Sequence, residues 1–308
     1  VRPATDLKGP TRMRRLKDAL QKIEVSPPLN DPIEHVRRLS SAEDKEVGGF
    51  IVAAISYGKI GLIMTDTQYL LATMGNRPAQ FVRKFSANNV DGFGGFTHRF
   101  TRGTHVACLL LRLKHALRDY GSLHAMFREA WTRRPDMRTA ISDFVDTLRR
   151  YDCPGFCNDC ATPRRQSVRW LLSKPSAGSA AKRMCLYLRW MVRDTPPDTG
   201  AWKDIPKSAL VIPLDTHVAR IGRLLGLTQR TSSGWLTAVD ITGALKQLDP
   251  EDPLRYDYRL SHVGIDGKCS GSSSIATCAV CKLREFCAVG ALKPSRLPRN
   301  RTTQRSKR

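Results

Sequence analysis

Four cysteines close to the end of the chain, Cys269, Cys278, Cys281 and Cys287, are separated by eight, two and five residues. Four thiolates in such a run bind either a tetrahedral zinc or an iron–sulfur cluster. Either would staple a region that has little core of its own. Lys282 and Arg284 stand beside them and are placed to touch phosphate. A second group, Cys153, Cys157 and Cys160, reads Cys-x3-Cys-x2-Cys and has no local fourth member. Free loop thiols are the favoured reading; Cys185, Cys108 or a histidine would have to complete a second metal site there. Nine cysteines in 308 residues, clustered in this way, indicate metal in a reducing compartment rather than a disulfide scaffold.

The stretch 174–218 carries the other candidate chemistry. A helix–turn–helix is expected over about 166–194. Pro175 ends the first helix because it lacks an N–H and its ring clashes with the preceding turn. Gly178 allows a sharp turn, and Ser179 is suited to cap the second helix. Such a hairpin offers backbone N–H groups and a helix N-terminus to a phosphate, with Ser176, Gly178, Ser179, Lys182 and Arg183 as the contacts. Further on, Asp215 stands at the expected N-cap of a helix opening Thr216-His217-Val218. A carboxylate fixed there can activate a nucleophile against a nucleotide. It can also serve as a cap alone, worth roughly 1 kcal/mol. His217 is read as a packing or hydrogen-bonding residue.

The hairpin, then Leu214-Asp215-Thr216-His217-Val218, then four cysteines, resembles the endonuclease III superfamily of helix-hairpin-helix (HhH-GPD) DNA glycosylases. It is most similar to an uncharacterised bacterial branch, through Gly178-Ser179-Ala180, Lys182-Arg183, Arg189-Trp190-Met191-Val192-Arg193 and Ile212-Pro213-Leu214-Asp215-Thr216-His217. The resemblance covers roughly residues 30–290. It implies an all-α, two-lobed fold and a 4Fe–4S cluster on Cys269, Cys278, Cys281 and Cys287, with zinc as second choice. It also implies a catalytic role for Asp215. The first cysteine gap is longer than the family's, through Ser270-Gly271-Ser272-Ser273-Ser274. In bifunctional members a lysine follows the last hairpin glycine by two positions, and that slot here holds Ala180. Lys182, two residues on, would lie about 200° around a helix of 3.6 residues per turn. Amine-dependent lyase chemistry is therefore not expected. A monofunctional glycosylase using Asp215 and water remains the alternative to a non-catalytic binding protein.

Charge favours the binding protein. Lysine and arginine number 51 against 28 acids, a net charge of +23, which calls for a polyanion. No apolar run approaches the roughly 20 residues of a membrane helix. The favoured partner is rRNA of an organellar ribosome or similar ribonucleoprotein, with its neighbouring proteins, and DNA is the alternative. A start at Val1 fits a removed targeting segment or a trimmed chain. The expected setting is a mitochondrial or other organellar matrix, with bacterial cytoplasm or nucleoid as the alternative.

The elements that must position these residues are helical. Residues 1–30 read as a basic extension with a helix over 12–23, and 31–268 as the helical core. Residues 269–290 form the cysteine loop, and 291–308 a basic tail. Helices are expected over 46–57 behind a Ser41 cap, over 60–74, 104–118, 122–131 and 137–151. Others are expected over 215–225, from 232 to before Pro250, and over 252–262. Gly92-Phe93-Gly94-Gly95 reads as a turn. Residues 293–308 hold seven basic residues and no acid. Arg296, Arg299, Arg301 and Arg305 there are further candidate phosphate contacts.

Overall fold

A computed structural model describes residues 9–24, 31–86, 92–153, 168–265, 269–271 and 275–290. Helix α3 (Ala42–Ile55) is the one the others pack around. Eleven of its fourteen residues are buried, and a helix apolar on all sides needs neighbours on all sides. Two of the buried residues are acids, and both are satisfied. Asp44 accepts from the Ala79 N–H at 3.0 Å and from the Ser41 hydroxyl at 2.7 Å. Glu46 accepts from the Leu123 N–H at 2.6 Å and from the Trp202 indole at 3.0 Å. Ala79 and Leu123 open α5 (Pro78–Lys84) and α7 (Leu123–Arg133). Each carboxylate of α3 thus meets the N–H-rich end of an incoming helix, the end that favours negative charge. Burial pushes the Glu46 carboxyl above its usual range, and the Trp202, Leu123 and His124 hydrogen bonds oppose it.

The remaining helices follow from caps and apolar stripes. In chain order they are α1 (Pro10–Gln21), α2 (Ile33–Arg37), α4 (Ile60–Thr73), α6 (Gly103–Tyr120), α8 (Met137–Arg150), α9 (Val168–Leu171), α10 (Lys182–Val192), α11 (Thr216–Leu224), α12 (Trp235–Lys246), α13 (Asp257–Ile265) and α14 (Ile275–Ala279). Ser41 caps α3, Ser122 caps α7 and Asp136 caps α8 through side-chain acceptors. Among the described residues the only sheet is a two-residue hairpin, Thr97–His98 with Thr101–Arg102. The expected all-α architecture therefore holds. No helix among the described residues is long and apolar enough to cross a membrane.

Several boundaries differ from expectation. α2 and α5 are five and seven residues long, too short for periodicity to reveal. The helix expected over 252–262 divides into a 3-10 turn, Pro253–Tyr256, and α13. α12 begins at Trp235 rather than at Ser232, with Gly234 as its cap. There Arg223 bonds the carbonyls of Arg230, Thr231 and Ser232 and holds that stretch off the helix.

Residues 10–21 are not a detached extension. Leu16 and Leu20 of α1 are fully buried. Arg12 donates to the Phe286 carbonyl at 2.9 Å and lies over its ring, 5.5 Å from the centroid. Arg15 pairs with Glu285. The helix is thereby docked on the loop that carries the four cysteines.

Cys153 forms a disulfide with Cys108 of α6. This departs from the reading of Cys153 as a free loop thiol or metal ligand and removes it as a free ligand for the second metal site. Its expected partners, Cys157 and Cys160, lie outside the described residues. The last turns of α10 are held by a buried ionic network. Arg189 bonds Asp198 at 3.1 Å and Asp257 at 2.6 Å, and Arg193 pairs with Asp198 and with Asp252 at 2.8 Å.

Two expectations follow. Arg189→Met leaves buried Asp257 without its cationic partner and Asp198 with Arg193 alone, and removing one partner of such a network costs about 3–5 kcal/mol. A chemical denaturation curve whose midpoint stays at the wild-type value would contradict this account of the network. Peptide mapping without reductant should recover a Cys108–Cys153 linked peptide. Recovery of both as free thiols would restore Cys153 as a candidate ligand.

Candidate nucleic-acid interface

The hairpin is built as a proline-initiated 3-10 turn, Pro175–Ala177, closed by Gly178. Gly178 has φ 78°, a left-handed backbone that favours glycine. Gly234 approaches it closely, and a Cβ on Gly234 would stand 2.8 Å from the Gly178 carbonyl oxygen. The turn is therefore packed against the start of α12. Ser179 and Gly234 also form an isolated bridge.

Two details of the hairpin correct the sequence reading. Ser179 does not cap α10. Its hydroxyl accepts from Ala181 N–H at 3.1 Å, and the cap position falls on Ala181, at φ 46°. The helix starts at Lys182, so Ala180 is not on it, and the 200° separation between Ala180 and Lys182 does not apply. The turn's own N–H groups are also partly engaged. Ser176 N–H bonds the Ser142 hydroxyl at 3.2 Å, and Gly178 N–H bonds the Pro175 carbonyl at 2.9 Å.

What opens toward solvent is a cavity of about 510 Å³ beside the hairpin. Ala181, Lys182 and Arg183, the cap and first turn of α10, line it. Lys182 and Arg183 carry orphan N–H groups of an eleven-residue helix, whereas the Ala181 N–H is taken by Ser179. Arg149, Arg169 and Lys174 line it as well, with Trp170 and Tyr57 as the aromatic wall. Among the described residues lining it there is no Asp or Glu. Among the described residues, Lys174 is the one lining cation held in an ion pair, with Asp146 at 2.5 Å.

Arg183 is the candidate contact that the structure uses otherwise. It is buried, with Nε donating to the Leu171 carbonyl at 3.3 Å and Nη2 to the Trp170 carbonyl. Its guanidinium sits 4.1 Å from the Trp170 ring centroid and 5.6 Å from that of Tyr57. It thus closes the C-terminal end of α9, where cations are favoured, and contributes charge rather than free donors to the cavity. Burial lowers its pKa, and Tyr57 opposes the shift.

Asp215 is the N-cap of α11, as expected. Its Oδ1 accepts from Val218 N–H at 2.8 Å. It is not among the residues that line the basic cavity. His217 Nδ1 faces Arg220 Nη2 at 3.1 Å, which suits a packing and hydrogen-bonding role. Met184 and Trp190, bulky residues of α10, are both buried in the core.

At the far side, Cys269, Cys278, Cys281 and Cys287 line a single cavity of about 280 Å³. None of the four is in a disulfide. Burial raises the Cys281 thiol, and the other three cysteines add to the shift. Among the described residues no three of His, Cys, Asp or Glu converge closely enough to hold one metal ion. The sulfurs of a tetrahedral zinc site stand about 3.8 Å apart at Zn–S lengths near 2.3 Å. Lys282 spends its ammonium on the Lys22 carbonyl at 2.6 Å, and Arg284 donates to the Gly290 carbonyl at 3.2 Å. Arg296, Arg299, Arg301 and Arg305 lie outside the described residues.

Sequence reasoning missed Arg149, Arg169 and Lys174. The only local signal was a basic last turn on α8. What makes these three a site is that α8, α9 and the hairpin meet there.

The cysteine loop generates one expectation. Anaerobically purified chain should carry about four irons, and Cys281→Ser should lose them. That variant should also free α1 for limited proteolysis, because α1 rests on the same loop. Stoichiometric zinc in place of iron would overturn the expectation.

No curated protein and no solved structure matches this chain. A family model described as "Protein of unknown function (DUF2400)" matches residues 31–266, a span that begins after α1 and stops short of the four cysteines. That match covers well over half of the sequence, and the chain belongs to this family.

Proposed function

We propose that the chain binds nucleic acid through its phosphates and does no chemistry on it, in a two-lobed fold of the helix-hairpin-helix glycosylase kind. The observation that carries this reading is the cavity beside the hairpin. Cationic side chains and the first turn of α10 surround it, with no carboxylate among its described lining residues. Phosphate contacts hold a strand in register without reading its sequence. A glycosylase would need a carboxylate at the same place, and Asp215, the cap of α11, is not among the residues that line the cavity. The net charge of +23 supports an extended polyanion over a small ligand. An RNA-rich particle such as an organellar ribosome is the favoured partner, with DNA second. The four thiols around one cavity support a 4Fe–4S cluster as the structural staple of the loop that receives α1.

Lyase chemistry needs an unprotonated amine near the sugar. Lys182 lines the cavity, so the test must include it. The chain is titrated with RNA and DNA duplexes and single strands over a salt series. Affinity should fall log-linearly, with slope near −0.7 per neutralised phosphate for single strands and −0.9 for duplex DNA. Deleting residues 293–308 should flatten the slope. The same preparations are incubated with duplexes carrying uracil, oxidised bases or mismatched adenine, then treated with borohydride or alkali. Neither trapped adduct nor strand cleavage is expected. An adduct abolished in Lys182→Ala, or base release abolished in Asp215→Asn, would replace this reading with an enzyme. Salt-independent binding would remove it altogether.

A further inference from the structure

Within the basic cavity, two arginines stand out by what they lack. Arg149 of α8 donates from Nη2 to the Arg169 backbone carbonyl at 3.1 Å, so the two residues are held against each other. The Nε of each is buried without a hydrogen-bond partner. Neither forms an ion pair among the described residues. Behind them Arg112 is also buried, and it bonds the Leu148 carbonyl at 2.7 Å and Cys153 Sγ at 3.7 Å rather than a carboxylate. The nearby acid, Asp146, is taken by Lys174. Burial lowers the Arg149 pKa. Asp146 opposes that shift, and Arg169 and Arg112 add to it. Buried donors and unpaired charges are costly, and this cluster concentrates both beside the first turn of a helix.

We propose that Arg149 and Arg169, together with the first turn of α10, form a binding site for the terminal phosphate monoester of a nucleic-acid strand. The proposal rests on the nucleic-acid reading above and sharpens it to a strand end. The charge count selects the ligand. An internal phosphodiester carries one negative charge, whereas a phosphate monoester carries close to two at neutral pH. Two guanidinium groups without an ion pair among the described residues, with Lys182 and Arg183 beside them, favour the dianion over the monoanion. Its three free oxygens can take the arginine forks and the orphan N–H groups of Lys182 and Arg183 together. Ser173, Ser179 and Ser233 also line the cavity and add hydroxyls suited to the attached nucleoside. A cavity of about 510 Å³ has room for that nucleoside as well as the phosphate.

The test uses the intact chain and fluorescence anisotropy. Oligonucleotides of one sequence carry a 5′-phosphate, a 3′-phosphate or hydroxyls at both ends, at one ionic strength. A phosphate at one of the ends should tighten binding on the order of tenfold over the hydroxyl-ended strand. Nucleoside monophosphate should compete for that increment where the nucleoside does not. Arg149→Gln should erase the preference. Arg169→Lys, which keeps the charge but loses the fork, should reduce it. Melting curves of both variants report whether they are folded, and the wild-type comparison of strand ends decides the matter if they are not. Equal affinity for all three strands overturns the proposal. If binding is then still steeply salt-dependent, the broader nucleic-acid reading stands and only the strand-end assignment falls. Absence of binding to every strand removes both.

Discussion

Helix α10 can serve two ends of the molecule because Arg189 and Arg193 fix one of them. Both guanidinium groups are buried, and three aspartates from separate segments, Asp198, Asp252 and Asp257, converge on them. Burial raises the Asp257 carboxyl, and Arg189 opposes that shift. A buried network of this kind is a weak source of net stability but a strong penalty on any arrangement that breaks it. It therefore specifies where α10 ends relative to α13 and to the loop after Arg193. The first turn of the same helix then has no freedom to withdraw from the basic cavity. The anionic clamp at one end and the cationic opening at the other are separated by a single rigid element of eleven residues.

The packing of α3 imposes a matching constraint on the other side. Gly48 and Gly49 let neighbours approach closely. A Cβ on Gly48 would stand 2.5 Å from Leu39, and one on Gly49 would stand 3.0 Å from Met191 of α10. α10 is thus wedged between α3 and α13. Phe50 and Tyr187 meet edge to face across that contact, with ring centroids 5.1 Å apart, a favoured aromatic geometry. The charged groups Asp44 and Glu46 are tolerated in this core only because two helix N-termini and an indole are brought to them.

Much of this was legible locally. Ser41, Ser122 and Asp215 announce helix starts through side-chain chemistry that needs no distant partner, and the long helices carry apolar stripes that periodicity finds. What was illegible depends on contacts far apart in sequence. The start of α10 moved to Lys182 because the turn is packed against Gly234, some fifty residues on. Arg183 was read as a phosphate contact from its place beside the hairpin, yet Trp170 and Leu171 supply carbonyls that claim it. Cys153 was read with Cys157 and Cys160 by spacing, whereas its sulfur bonds one 45 residues away. The Arg149–Arg169 pair has no motif at all.

The docking of α1 on the cysteine loop has a consequence for how the chain is made. Arg12 and Phe286 are 274 residues apart. At synthesis rates of about 5–20 residues per second, roughly 14–55 seconds separate their appearance at the ribosome. During that interval Arg12 has neither the Phe286 ring nor its carbonyl to rest on. The contacts that dock α1 on the cysteine loop are thus among the last that synthesis of the chain allows to form.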